Sequence, residues 1–179
     1  LSVVRTVGIV VSSVGGISVG AEKAWDAAVR QGNARMFIIN QMDRENADYD
    51  KVLHELRDKY GSSVVPLIVP IGSAASFKGV VNLLENKAFE GAGKALKEVS
   101  VPAELEGQVS QYIEEITEAA AEADDELLEK YFEEGELSHE EILVGFRKGM
   151  QAGKIVPVVA VSAVTGVGVA KLMDMMVDY

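Results

Sequence analysis

The 179-residue chain contains no cysteine, two histidines, one tryptophan and four prolines. Without cysteine, a disulfide frame, a thiolate zinc site and a Cys nucleophile are all excluded. The two histidines, His54 and His139, fall on predicted helix surfaces or caps, and neither a His-Glu-x-x-His motif nor a Ser-His-Asp candidate can be assembled. No apolar run approaches the roughly 20 residues that span a bilayer, which argues against a membrane role. Positive charge is scarce, with 17 Lys and Arg against 28 Asp and Glu and a net charge of −11. That balance argues against the chain gripping nucleic acid through its phosphates. The opening Leu1-Ser2-Val3-Val4-Arg5 is neither a signal peptide nor a start methionine and reads as a cut inside a longer protein. What is present, 48% hydrophobic and 25% charged residues, is the composition of a globular chain.

The negative charge is concentrated. From Glu98 to Glu141 there are 16 acidic residues and one base, Lys130, a net of −15; the remainder holds 12 acids and 16 bases, a net of +4. One segment thus carries all of the acidic excess, either as a solvated helical surface or as a surface facing a partner.

Hydrophobic patterning predicts an α/β fold with a parallel sheet flanked by helices. Val7–Val11, Met36–Ile39 and Val64–Ile71 read as buried strands. Between them, Ala21–Gln31 and a helix from an Asp48 N-cap through Tyr60, stopped by Gly61, show helical spacing. Strand–helix–strand–helix–strand is the signature of a parallel sheet with covering helices. The pattern then changes. Phe77–Lys87 reads as a hairpin strand and Gly91-Ala92-Gly93 as a turn. From Pro102 the chain is strongly helical, with an apolar stripe through Leu105, Val109, Tyr112, Ile116 and Ala119. A short helix at Asp124–Phe132 precedes a helix opened by a capping box, Ser138 to Glu141, and closed at Gly153. Ile155–Val161 returns to a buried strand, and Val167–Val177 is a final amphipathic helix. The economical division is a core over residues 1–70, an acidic, mostly helical insertion over 71–156, and a last core strand and helix over 157–179.

In open parallel sheets, ligands bind beyond the carboxyl ends of the strands. Two loops there carry polar residues: Asn40-Gln41-Met42-Asp43, and Ser162-Ala163. A carboxylate at Asp43 can accept two hydrogen bonds from a planar group with paired N–H donors. Guanine presents such an edge, and adenine does not. Asn40 can tie the loop together and donate to a base acceptor, and the Ala163 amide can meet the guanine carbonyl oxygen. Asn and Asp after a strand are also ordinary turn residues, so base recognition and turn formation both remain open on these residues alone.

Asn40-Gln41-Met42-Asp43-Arg44 resembles the Asn-Lys-x-Asp guanine-specificity motif of GTPases in the form found in translation elongation factor G. Gly16–Trp25 and Asp43–Asp48 resemble the segments flanking that motif, and Pro70-Ile71-Gly72 with Phe77–Leu83 resembles the entry to the inserted subdomain of that family's G domain. Ser162-Ala163 resembles the last guanine-contacting motif, and Gly166–Val169 with Leu172–Tyr179 resembles the closing helix. The similarity covers essentially the whole chain, and the Ser162–Val169 wording is closer to elongation-factor-G-like paralogues. It implies the later part of a P-loop-type G domain that binds the guanine part of GTP or GDP through Asn40, Gln41, Asp43, Ser162 and Ala163. Where the family has Lys, this chain has Gln41, which can pack over a base but brings no charge.

A phosphate loop of the form Gly-x-x-x-x-Gly-Lys-Ser/Thr is absent. The two Gly-Lys pairs, Gly93-Lys94 and Gly153-Lys154, lack the earlier glycine and the hydroxyl residue, and Asp58-Lys59-Tyr60-Gly61 reads as a helix stop rather than a switch motif. The resemblance therefore implies a cytoplasmic parent GTPase acting on the ribosome in elongation, and a chain that is inactive alone. A ribosome-protection or release-factor relative, and an acidic binding module with a vestigial nucleotide pocket, are the alternatives. In elongation factor G the inserted subdomain contacts the ribosomal stalk protein, and Thr117–Leu127 resembles its contact helix. The expectation is that Glu118 and Glu122 stack on one helical face free for a partner, with Asp125 extending the row if the helix continues.

Overall fold

The structure is a computed structural model that describes residues 4–178. Residues 1–3 and 179 lie outside the described residues, and with them the first residues of the N-terminal reading and Tyr179 of the segment that resembles the closing helix. In chain order the elements are β1 (Thr6–Ser12), α1 (Val19–Arg30), β2 (Ala34–Asn40), α2 (Tyr49–Tyr60), β3 (Val64–Ile71), β4 (Gly79–Asn82), β5 (Lys87–Glu90), β6 (Lys97–Val99), α3 (Glu106–Glu122), α4 (Asp125–Glu134), α5 (His139–Gln151), β7 (Val156–Ala160) and α6 (Val169–Asp178). All seven strands join one sheet in the order β1-β2-β7-β3-β4-β5-β6. The first four in that order are parallel, and β4, β5 and β6 continue as an antiparallel meander.

The parallel half follows from the sequence. β3 and β7 are buried along nearly their whole length, as near-continuous apolar runs require when both faces are covered. Pro66 has no N–H to give, and the β3–β7 register slips between Pro66 and Ile68. The Asp48 side chain accepts the Lys51 amide to open α2, and Gly61, at φ 90°, ends it. Trp25 of α1 stacks on Phe37 of β2 with ring centroids 5.4 Å apart, and Tyr60 of α2 lies 4.2 Å from Trp25. This aromatic group fixes both helices over the same strand.

Before its helices begin, the segment after β3 adds three strands to the sheet, where the sequence reading places one hairpin strand. The expected strand over Phe77–Lys87 is a hairpin whose turn falls inside it. The Asn82 side chain accepts the amides of Leu84 and Glu85, at 3.1 and 3.3 Å, and reverses the chain there. In α3, Val109, Tyr112 and Ile116 are buried as the stripe requires, but the next fully buried position is Ala120 rather than Ala119. That shift reflects α5: a Cβ on Gly145 would collide with the Ala120 carbonyl oxygen, so the helices approach too closely there for an alanine.

The sheet ends unequally. β6 is three residues long and carries exposed Lys97 and Glu98. β1 is seven residues long, pairs only with β2 among the described residues, and leaves Val10 55% exposed.

The capping box at Ser138 forms as predicted, with Ser138 and Glu141 bonded reciprocally. The Lys130 ammonium, 2.7 Å from Glu141, and the backbone and hydroxyl of Ser138 hold the Glu141 carboxyl down at about 2, from an ordinary 4.5. A carboxyl depressed on folding stabilises the fold above its unfolded value and loses that contribution as pH falls toward the folded one. Glu141→Gln is therefore expected to lower the urea midpoint at neutral pH. The gap from the parent chain is expected to close between about pH 4.5 and about pH 2. Urea titrations of both proteins across that range check this; a gap independent of pH removes Glu141 from the acid response.

Candidate functional site

The carboxyl ends of three adjacent parallel strands lie side by side. Ser12 at the end of β1 stands opposite Asn40 at the end of β2, and Ile39 stands opposite Ala160 of β7. The chain leaves β2 into the loop 41–47 and leaves β7 into the loop 161–168. The parallel register alone therefore brings residues 40–43 and 162–163 together, although Asp43 and Ser162 are 119 positions apart in sequence.

Asn40 joins the two loops. Its Oδ1 accepts the Gln41 amide at 2.8 Å and the Ala163 amide at 2.9 Å. The backbone adds a second tie, with the Met42 amide donating to the Val161 carbonyl at 3.3 Å. The Met42 side chain is fully buried, which anchors the middle of the loop in the core. Asp43 is half-buried, and its Oδ1 accepts the Ser162 hydroxyl at 2.6 Å. Its Oδ2 takes no hydrogen bond from a described residue. Ser162 is fully buried, and its Oγ also accepts the Thr165 amide at 3.1 Å, so the hydroxyl is committed on both sides.

Asn40, Asp43, Ser162 and Ala163 thus form one hydrogen-bonded group. Gln41 sits within it in a left-handed conformation, φ 70°, with its side-chain oxygen held by the Ser12 hydroxyl at 2.9 Å. One expectation changes. The Ala163 amide is not idle but already donates to Asn40, so a base carbonyl meets it only by sharing or displacing that bond. The Asn40 Oδ1 is likewise spent on the protein, leaving its NH₂ as the group able to face a ligand. In the sequence, Ser12 and Ser13 are legible only as residues closing a strand. Placing β1 beside β2, with Ser12 level with Asn40, is the signal that points to both.

Glu118 and Glu122 are both exposed, one turn apart on α3. They line a cleft of about 500 Å³ whose opposite wall is the end of α2, with His54, Arg57 and Asp58. Arg57 crosses this cleft to Glu115 at 2.5 Å. The row does not continue to Asp125. α3 ends at Glu122, and Asp124 caps a new helix by accepting the Glu126 and Leu127 amides. Asp124 is also paired with Lys148 of α5, and that contact and the capping bonds hold its carboxyl below the ordinary value. Asp124 is therefore a structural residue rather than a solvated one, and Asp125 stands exposed at the start of α4. At the other end of α2, burial raises the Tyr49 phenol well above its usual range and keeps it neutral. Among the described residues, no group of three or more His, Asp or Glu side chains is placed to hold a metal ion, and no helix is long and apolar enough to cross a membrane.

The family model of the elongation factor Tu GTP binding domain matches residues 1–179. The chain belongs to this family. A crystal structure from Thermus thermophilus superposes on it with a TM-score of 0.91 at 29% identity, over 99% of this chain and 26% of that one. The chain thus spans about a quarter of the length of that relative. The seven-stranded sheet and its helices are the fold of a G domain, and membership of a translational GTP-binding family makes a guanine nucleotide the ligand class to set against the Asn40–Asp43 loop.

Proposed function

We propose that this chain is the guanine-reading part of the GTP-binding domain of an elongation-factor-G-like translational GTPase, a cytoplasmic protein that hydrolyses GTP on the ribosome during elongation and translocation. The observation that carries the reading is the joining of the 40–43 and 162–163 loops through Asn40, which leaves Asp43 with one carboxylate oxygen unbonded beside them. Each carboxylate oxygen can accept more than one donor. Asp43 can therefore keep the Ser162 hydroxyl and still receive the guanine N1–H and 2-amino group. Asn40 offers its NH₂ to a base acceptor, Ala163 its amide to the carbonyl oxygen, and Gln41 its uncharged stem to the base face.

The likeness to elongation factor G is supported by the long segment between β3 and β7. These strands pair directly, so the chain departs after Ile71 and returns at Val156 beside the strand it left. We accordingly divide the chain into a G-domain core over 1–70 and 157–179 and an inserted subdomain over 71–156.

The 179 residues hold no Gly-x-x-x-x-Gly-Lys-Ser/Thr segment. Phosphate and Mg²⁺ contacts supply most of the affinity in sites of this type. The chain alone is therefore expected to bind GDP very weakly and to hydrolyse no GTP. Isothermal titration with GDP tests this, and micromolar binding would overturn it.

In a full-length parent, Asp43→Asn is expected to move preference from GTP toward XTP, because the carboxylate that accepts the 2-amino group is replaced by a mixed donor and acceptor. Sites built on such hydrogen bonds discriminate by about 10⁴-fold. Competition between GTP and XTP measures the shift, and an unchanged ratio excludes Asp43 from the base site.

For the partner, we propose that Glu118, Glu122 and Asp125 face the lysine-bearing stalk protein of the ribosome, with the two glutamates acting from the α2–α3 cleft and Asp125 from the next helix. Exposed pairs contribute about 0–1 kcal/mol each, so the effect lies in association rate. Reversing all three to Lys is expected to slow association with stalk-bearing ribosomes and to flatten its salt dependence. Stopped-flow mixing at two salt concentrations reads both quantities. The same rate and slope as the parent would leave these residues as plain solvated surface.

A further inference from the structure

The residue standing where the resembling motif has lysine is also one of four non-glycine residues with a left-handed backbone among those described, and it is held there from outside its own loop. Gln41 has φ 70°. A residue with a Cβ persists in that conformation when its surroundings over-determine it. Three bonds do so. The Ser13 hydroxyl donates to the Gln41 carbonyl at 2.8 Å, the Ser12 hydroxyl donates to the Gln41 Oε1 at 2.9 Å, and the Gln41 amide donates to Asn40 Oδ1 at 2.8 Å.

Ser13 also closes the loop at both ends. Its amide donates to the Asn40 carbonyl, and its carbonyl accepts the Asp48 amide, each at 3.0 Å. Asn40 opens the base-facing loop and Asp48 ends it as the N-cap of α2. Ser13 is 1% exposed, so its hydroxyl has no solvent to turn to. The Ser12 oxygen is fixed from behind by the amides of Val14 and Gly15, at 3.2 and 3.1 Å, which aims its single proton at Gln41.

The pairing is chemically matched. A hydroxyl whose oxygen already accepts two amides has a proton to give and needs an acceptor. The carboxamide of Gln41 provides one, whereas a lysine ammonium carries donors only.

We propose that Ser12 and Ser13 are positioning residues for base recognition, which set the angle between Asn40 and Asp43 by locking Gln41 in its left-handed conformation. Gln41 then presents an NH₂ donor rather than a charge. The inference rests on the reading that this loop faces guanine, but its structural half stands without that reading, and the experiment separates the two.

The test is NMR on the 179-residue chain, with Ser13→Ala, Ser12→Ala and the conservative Ser12→Thr as variants. A residue at positive φ gives a strong intraresidue amide-to-Hα cross-peak. The parent is expected to show it at Gln41, Ser13→Ala to lose it with the remaining spectrum preserved, and Ser12→Thr to keep it. Titration with guanosine, with adenosine as control, is expected to move the Asn40 and Ala163 amide resonances in the parent. Ser13→Ala is expected to weaken the guanosine response about tenfold, as loss of a buried hydrogen bond implies. Where Ser13→Ala fails to fold, half-buried Ser12 carries the same comparison, Ser12→Ala losing what Ser12→Thr retains. A left-handed Gln41 and an unchanged guanosine response in both alanine variants overturn the proposal. Loss of the Gln41 geometry with an undiminished guanosine response overturns the positioning role and leaves the serines as a loop lock only, whereas the base-site reading itself falls on an unchanged GTP-over-XTP ratio for Asp43→Asn in a full-length parent.

Discussion

Everything else in the structure depends on the seating of β7 between β2 and β3. Five residues, all buried, arrive after the long detour from Ile71 to Val156 and pair in parallel on both sides. Without them the sheet has a gap between β2 and β3, no second loop stands beside Asn40, and α6 has no strand to follow. Such pairing is costly to form, because the entropy of closing the connection is spent before the contacts are made. The detour begins on the other edge of β3, where β4 pairs, so the chain comes back to the opposite side of the strand it left.

Much of the architecture is legible in the sequence, and the reasons are local. Val64–Ile71 is long, apolar and β-branched, and the strand occupies those residues. Asp48, Gly61 and Ser138 declare helix ends through chemistry that works on neighbouring amides. What the sequence hides depends on neighbours distant along the chain or on a single local bond. The turn at Asn82 lies inside an apolar stretch, where one side-chain oxygen outweighs β-propensity. The α3 stripe points to Ala119 by spacing, but α5 approaches from the other side and buries Ala120 instead. At the strand ends the polar residues of both loops are visible, since Asn and Asp after a buried strand stand out against the apolar background. Their bonding is not. That Asn40 is spent on Ala163, and that Gln41 is held by two serines at the end of another strand, follows from which strands are neighbours. A single strand's pattern does not contain that information.

The charge distribution makes physical sense on this scaffold. The sequence outside Glu98–Glu141 carries a net positive balance and that segment a strong negative one. The two are fastened by Arg57 to Glu115 and by Lys148 to Asp124, which place cations of α2 and α5 on acids of α3 and the α4 cap. These contacts use few of the available carboxylates. Many of the rest are exposed and repel one another, which keeps the outer surface of α3 and α4 hydrated.

The two borders of the sheet have opposite consequences for handling this protein. β6 ends it with three residues and two charges, a border at which further pairing is discouraged. β1 offers seven residues without proline or lysine and with Val10 uncovered. Edges of that kind accept additional strands readily. β1 is therefore the border at which an added strand, from a second molecule or from another segment, pairs with least hindrance.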